Sequence, residues 1–449
     1  MLDLLLINGS YPDFEKGEII KANIGIASGK IAYIGNDTPE ASSMVDVSGE
    51  IVSPGFIDIH MHEDDFAQEG EQYIISQMML EMGVTTAVGG NCGLQKQSLS
   101  YFKEVIDKLG GAPVNYMMFT GYNSHRGNVG AVGRPTTKEE RDEIKKIILK
   151  ELNEGACGIS FGVEYDTSIE TEEMIYALEG IDNPDLLVSS HIREGCVDNI
   201  SAVDEMFEMA EKSVMKFQIS HLGSMCAMGL MDKVLERINS AAETDDRISY
   251  DIYPYNAFST FIGSAAFDDE YFAAWGMKYE DILLTDEPYK NMYCDEELYR
   301  KARKEYPDML AVGFVMKDEE VNSAISNKYG MIASDAIIGN AKGHPRAAGT
   351  FPRLLGKYVR EDKVLPLVDA IRKITLEPAK RLNLDSKGRI ELGADADITI
   401  FHPDTIIDCA TYSELLPPEG ISHVYIGGSL ALKNNETINN RLGRFIPHK

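Results

Sequence analysis

The chain is short of positive charge. Lys and Arg number 43 against 72 Asp and Glu, a formal net charge of −29, so phosphate backbones and anionic membrane surfaces are repelled at long range. Nucleic acid is therefore not an expected partner, although a local positive pocket could still take an anionic small molecule. No uninterrupted apolar run approaches the ~20 residues needed to cross a bilayer, and the N-terminal MLDLLLINGS has no basic segment ahead of an apolar stretch. The six cysteines, Cys92, Cys157, Cys196, Cys226, Cys294 and Cys409, are scattered without a CxxC pair. A disulfide framework and secretion are both disfavoured on that basis, and a soluble cytoplasmic protein is expected. Internal repeats and low-complexity tracts are missing too.

What is present is an ordinary globular composition, 44% hydrophobic with 17 Pro, which argues against disorder. At 449 residues the chain has room for one α/β barrel, which commonly takes about 250 residues, and a smaller accessory domain. Residues 1–54 alternate short apolar runs with turn signals (LDLLLING, ANIGIASGKIAYIG, SMVDVSGEIVSPG), and residues 389–449 contain similar runs, DADITIF and HVYIGGSLAL. Closely spaced short strands of this kind suggest antiparallel sheet. Neither end has enough strands to bury a face alone, so both are expected to join in one small β-sandwich domain.

Between the ends, residues 55–388, the period changes to strand followed by helix. Eight strand-like runs appear: GFIDIHMH, TTAVGGNC, PVNYMMFTGY, ACGISFGVEY, LLVSSHI, KFQISHLG, RISYDIYPY and GMIASDA. Helical periodicity separates most of them, as in KEERDEIKKIILKELNEG and VDNISAVDEMFEMAEKS. Eight strands with intervening helices, and no Gly-rich dinucleotide fingerprint after the first, specify a (β/α)8 TIM-like barrel better than an open doubly wound sheet. The interval 258–329 is too long for a simple connection and contains the acidic, aromatic stretch AAFDDEYFAAWGMKYEDILL. A lid or pocket wall over the barrel mouth is the expectation.

The strand ends carry the chemistry. In Asp58-Ile59-His60-Met61-His62, period-2 geometry puts the acid and both imidazoles on one face, where an i, i+2 pair can chelate a metal ion. Asp58 lies one layer deeper, and either orients a ligand imidazole or is a buried structural carboxylate. His191 and His221 close LLVSSHI and KFQISHL. Four histidines at the ends of three strands are hard to explain as core packing, because each buried ring nitrogen needs a partner. Cys92 ends the second strand between glycines, as a zinc ligand or a small buried hydrophobe, and imidazole and thiolate donors suit zinc. Glu164 in FGVEYD is a second anionic candidate ligand. No lysine ends the fourth strand, so a carboxylated lysine bridge is excluded there. Asp335 in IASDA supplies the missing proton shuttle, a general acid and base beside metal-activated water, unless it serves only as a helix N-cap.

These residues resemble the amidohydrolase superfamily, and most closely its D-aminoacylase (N-acyl-D-amino-acid deacylase) branch. The resemblance covers nearly the whole chain through SPGFIDIHMH, GGNCG, SHIREG, ISHLG, IYPYNAFST, SDA, HPRAAGTFPRLLGKYVRE, LEPAKRLNL and GADADITIF. GFIDIHMH marks the superfamily, while GGNCG and HPRAAGTFPR point to the branch. The resemblance implies His60, His62, Cys92, His191 and His221 as ligands of one or two zinc ions, with Cys92 in the bridging place and Asp335 as catalytic acid and base. It also implies Arg346 and Tyr253 or Tyr255 as anchors for a substrate carboxylate, for which a guanidinium fork is apt. Arg193, Arg126 and Arg353 are the options for a second cation.

Three departures from the family pattern bear on substrate identity rather than reaction type. An extra acid makes His62-Glu63-Asp64-Asp65; Leu222-Gly223 follow His221 where a further His and Lys are often found; and Glu164 is an unexpected acid. The implied reaction is hydrolysis of the linear amide of an N-acyl-D-amino acid, a small-molecule partner. The rivals are a cyclic amidase of dihydroorotase or hydantoinase type, a deaminase on the same barrel, and an inactive scaffold, which should have lost ligands. Oligomeric state stays open, a homo-oligomer included.

Overall fold

A computed structural model of the chain describes residues 1–68, 70–193, 199–338 and 343–449. The fold is mixed α/β with several sheets. All eight sequence-derived strands of the central region form: β1 (Phe56–Asp58), β2 (Val84–Gly89), β3 (Asn115–Met118, resuming at Thr120–Gly121), β4 (Gly158–Gly162), β5 (Leu187–His191), β6 (Lys216–Ile219), β7 (Ile248–Ile252) and β8 (Gly330–Ile332). Each pairs in parallel with the next, β3 reaching β2 through its first half and β4 through its second. Beyond the last named strand residues, Met61 and Ala336 form a parallel bridge between the continuations of β1 and β8. The strands are buried along their whole length apart from Lys216, as near-continuous apolar runs between helical layers should be.

The connecting helices include Lys138–Asn153 and Asn199–Glu211, at the two predicted stretches. The first begins with a capping box, Thr137 accepting from the Glu140 N–H while the Glu140 side chain takes that of Thr137, so two otherwise orphaned donors are satisfied. Among the described residues no helix is long and apolar enough to cross a membrane.

The chain ends build two further sheets. One has four strands from residues 2–46 alone, and the other has seven, combining Ser10–Asp13, Glu18–Lys21 and Ile51–Pro54 with strands from Ile398–Phe401 to Glu436–Thr437. Leu4, Leu6, Ile24 and Ile26 of the first pack with Val52, Ile398, Ile400 and Tyr425 of the second in one apolar cluster. The joint with the central strands is tight. Ile51–Pro54 runs into β1 across the single residue Gly55, whose N–H donates to the Asp397 carbonyl (2.7 Å). The Asp397 carboxylate accepts from Asn115 of β3 (3.2 Å) and from the Gly427 N–H (2.7 Å). After leaving the sheet, the last residues return beneath β3, where Gly443 bridges Ala112 and Phe445 bridges Tyr116.

The long interval after β7 contains a sheet of its own, with Phe258–Phe261, Leu310–Gly313, Ile282–Leu284 and Met292–Tyr293 in antiparallel order. Its helix Asp269–Trp275 leans over the carboxyl ends of the parallel strands.

Candidate metal centre and active site

Four potential ligand atoms meet at the strand ends: one each from His60, Cys92, His221 and Asp335, all within 4.8 Å of one another and all buried. Cys92 Sγ lies 3.3 Å from His60 Nε2 and 3.4 Å from His221 Nε2. Asp335 Oδ1 is 3.4 Å from Nε2 of both His60 and His62. His62 and His191 stand at the edge of this group; the His191 ring packs edge-on to His221 with centroids 4.3 Å apart. Glu164 bonds to His191 Nε2 rather than joining the four, while His191 Nδ1 is buried without a partner.

The backbone here is strained to aim these side chains. Cys92, His221 and Asp335 all sit at positive φ (54°, 33° and 46°), a region that costs a non-glycine residue of order 1 kcal/mol or more and that clusters at functional sites. Gly90 and Gly93 around Cys92 share it (73° and 70°), and a Cβ on Gly90 would lie 2.5 Å from the Phe119 carbonyl oxygen. The loop is held by Ser160, which accepts from the Gly93 N–H (3.0 Å) and donates to the Gly90 carbonyl.

Electrostatics favour an anionic Cys92 and Asp335. Burial raises the Cys92 thiol pKa, but the imidazoles of His60 and His221 outweigh it and hold the thiol well below its usual range. Burial would also raise Asp335, and Arg346 and His221 reverse that, keeping it a carboxylate; Arg346 Nη2 is 2.9 Å from Asp335 Oδ2. Burial depresses His191, yet Glu164 and Cys92 lift it to about 10. An orphaned imidazole nitrogen and a thiol ringed by imidazoles are a donor set suited to zinc.

The sequence missed the residue that orders this group. Asp251, on β7, contacts His60 Nδ1 through both oxygens (3.2 and 3.3 Å), accepts the His221 backbone N–H (2.8 Å) and takes Gln218 Nε2 (2.6 Å). The signal was a lone acid in the strand RISYDIYPY. Asp58 proves different: its carboxylate bonds the Ser334 hydroxyl and N–H (3.0 Å) and the His60 N–H (3.2 Å), tying β1 to β8 without touching an imidazole in that network. The extra acids after His62 are structural as well. Glu63 accepts the N–H groups of Gly90 (2.9 Å) and Lys96 (2.7 Å), and Asp64 accepts those of Ile74 and Ile75 plus the hydroxyls of Ser76 and Tyr116.

A cavity opens over the cluster, lined by Glu164, His191, His221, Asp335 and Arg346 on one side and by the insert on the other. Tyr253 belongs to its wall, with the Arg346 guanidinium 4.6 Å above its ring and its own hydroxyl unpartnered. Tyr255 and Arg193, expected as substrate contacts, are not among the lining residues. Tyr255 donates to Asp408 (3.3 Å) under Arg353, since the Tyr253-Pro254-Tyr255 turn ends strand alternation. Arg193 is drawn away by Glu205 (2.7 Å) and the Ile169 carbonyl (2.8 Å).

Comparison with known proteins gives a consistent result. The family model described as "Amidohydrolase family" matches residues 319–430. A D-aminoacylase of Alcaligenes xylosoxydans xylosoxydans is 28% identical over 99% of this chain and 97% of its own length, and an N-acyl-D-glutamate deacylase of the same organism is 30% identical over 95% and 93%. A crystal structure of N-acyl-D-glutamate deacylase from Bordetella bronchiseptica, complexed with zinc and a phosphonate mimic of the tetrahedral intermediate, superposes with a TM-score of 0.86 at 26% identity, covering 99% of both chains. With a 30% identical relative matched over almost its full length and the cluster above in place, the chain belongs to the amidohydrolase family, in its D-aminoacylase branch.

Proposed function

We propose that this chain hydrolyses the amide of an N-acyl-D-amino acid to a carboxylate and a free D-amino acid at a zinc site held by His60, His62, Cys92, His191 and His221. The observation that carries the reading is the convergence of two imidazoles, a thiol and a carboxylate within 4.8 Å at the strand ends. Zinc bound there would supply Lewis acidity and lower the pKa of water toward about 7. Everything else falls to the protein. Asp335, kept ionised by Arg346, accepts the proton of the attacking water and returns it to the amide nitrogen, without which the amine is a poor leaving group. Arg346 and the unpartnered Tyr253 hydroxyl form a polar corner for the substrate carboxylate. The insert walls the cavity against bulk solvent, which strengthens each of these interactions.

The same reading takes the eight parallel strands as one closed (β/α)8 barrel, residues 55–388, supported by the bridge from Met61 to Ala336. Residues 1–54 and 389–449 are then its β-sandwich domain, supported by the apolar cluster the two end sheets share.

The test is Asp335→Asn with N-acetyl-D-amino acids as substrates. Zinc content stays near wild type while turnover falls at least ~100-fold. Unchanged turnover would remove Asp335 from the mechanism.

A further inference from the structure

The far wall of the cavity is mainly apolar. Met225, Phe258, Ala266, Tyr271 and Trp275 line it, with Trp275 5.8 Å from Phe258 and 5.0 Å from Tyr271 between ring centroids. We propose that the substrate side chain is uncharged and apolar, and that Met225, Phe258, Tyr271 and Trp275 form the pocket that selects it. The inference rests on the hydrolase reading and refines it to a substrate class.

Charge decides against an acidic side chain. Among the described residues Arg346 is the single arginine or lysine of the lining, and it is engaged: Nη2 with Asp335 (2.9 Å) and with the Ser259 carbonyl (3.4 Å), Nε with the Asp335 carbonyl (2.8 Å). The other arginines near the site have carboxylate partners of their own outside the lining, Arg193 with Glu205, Arg353 with Asp408 and Arg126 with Glu173 and Asp166. A second substrate carboxylate would be buried without a partner and would share the cavity with Glu164, which is costly on both counts. A cationic side chain fares little better, since both lining carboxylates are already paired, Glu164 with His191 and Asp335 with Arg346. Of the buried, unpartnered hydroxyls of the lining, those of Tyr253 and Ser259 flank Arg346, while that of Tyr271 stands alone in the aromatic wall. The cavity thus has one polar corner for the α-carboxylate and one mainly apolar wall for the side chain.

Trp275 is the only tryptophan in the chain, so its emission reports directly on that wall. The zinc-loaded protein is assayed with N-acetylated glycine, D-leucine, D-phenylalanine, D-glutamate and D-lysine, and the same compounds are titrated against Trp275 fluorescence in the Asp335→Asn protein. Expected are kcat/KM values for D-leucine and D-phenylalanine at least ~100-fold above that for D-glutamate, with saturable emission changes for those two at lower concentration than for the charged ones. Trp275→Ala, and separately Phe258→Ala, should compress the D-phenylalanine to glycine ratio by about tenfold. A preference for D-glutamate or D-lysine overturns the proposal, as does a ratio unmoved in both folded variants. If no N-acetyl-D-amino acid is hydrolysed, the hydrolase reading fails; the fluorescence then still decides the pocket, supporting it if N-acetyl-D-phenylalanine binds ahead of N-acetyl-D-glutamate and overturning it otherwise.

Discussion

Asp251→Asn isolates the group that orients the candidate metal ligands from behind. Asp251 is 1% exposed and receives only donors: His60 Nδ1, the His221 N–H and Gln218 Nε2. Asparagine keeps one acceptor oxygen for these three donors and turns an NH2 toward the rest, so at least one buried donor loses its partner, a cost of about 1–3 kcal/mol. The His60 ring also loses the contact that fixes its Nδ1 tautomer and presents Nε2 to Cys92 and Asp335. Partners of this kind are worth about 10- to 100-fold in metal affinity, equivalent to about 1.4–2.7 kcal/mol. The assay is zinc competition against a chromophoric chelator, with circular dichroism to confirm folding. Asp58→Asn is the comparison, because that carboxylate bonds Ser334 and the backbone of His60; it should leave zinc affinity close to wild type. Equal zinc loss in the two variants, or none in Asp251→Asn, would refute the assignment of the orienting role to Asp251.

Three further outcomes follow from the structure. Asp64→Ala deletes an acceptor for three helix N-terminal N–H groups and two buried hydroxyls, and chemical denaturation should show a loss of about 2–3 kcal/mol. Stripping zinc should lower the melting temperature, and zinc at a thousandfold excess over its Kd should restore about 4 kcal/mol; a melting temperature indifferent to zinc would contradict a buried ligand cluster. Burial lowers Lys373 from 10.5 to about 8, so below pH 8 both folded and unfolded chains carry the ammonium and the folded state bears the full penalty. Between pH 8 and 10.5 the folded state sheds its proton first, so this contribution favours folding as pH rises. Wild type should therefore gain up to about 3 kcal/mol on Lys373→Met from pH 7 to 10.5, measured by urea titration at each pH.

Much of this site could be read before any coordinates. Period-2 geometry and the position of a residue at the end of an apolar run suffice to single out His60, Cys92, His221 and Asp335, whose potential ligand atoms lie within 4.8 Å of one another, with His62 beside them. The same rule fails one step past a strand. Tyr255 shares parity with Tyr253 but follows Pro254, where the chain turns, and Arg193 lies beyond β5 where Glu205 of the next helix competes for it. Asp251 is not legible in the same way, because an acid inside a strand carries no spacing signature; its meaning comes from which rings pack beside it. Charge and position alone make Glu164 a ligand candidate, and its hydrogen bond to His191 depends on a neighbouring strand that local sequence does not specify. The sheet inside the insert was also illegible, since its strands are two to four residues long and their pairing is set by contacts distant in sequence.

The joint between the end sheets and the parallel strands leaves no slack. A one-residue link at Gly55, the three-way clasp made by Asp397, and a tail that stitches Gly443 and Phe445 beneath β3 fasten the end sheets at several separate points. Pivoting of those sheets is thus a poor route for admitting a reactant. The segment carrying Phe258, Tyr271 and Trp275 lines the cavity, so any motion that opened it on that side would also displace the proposed specificity residues.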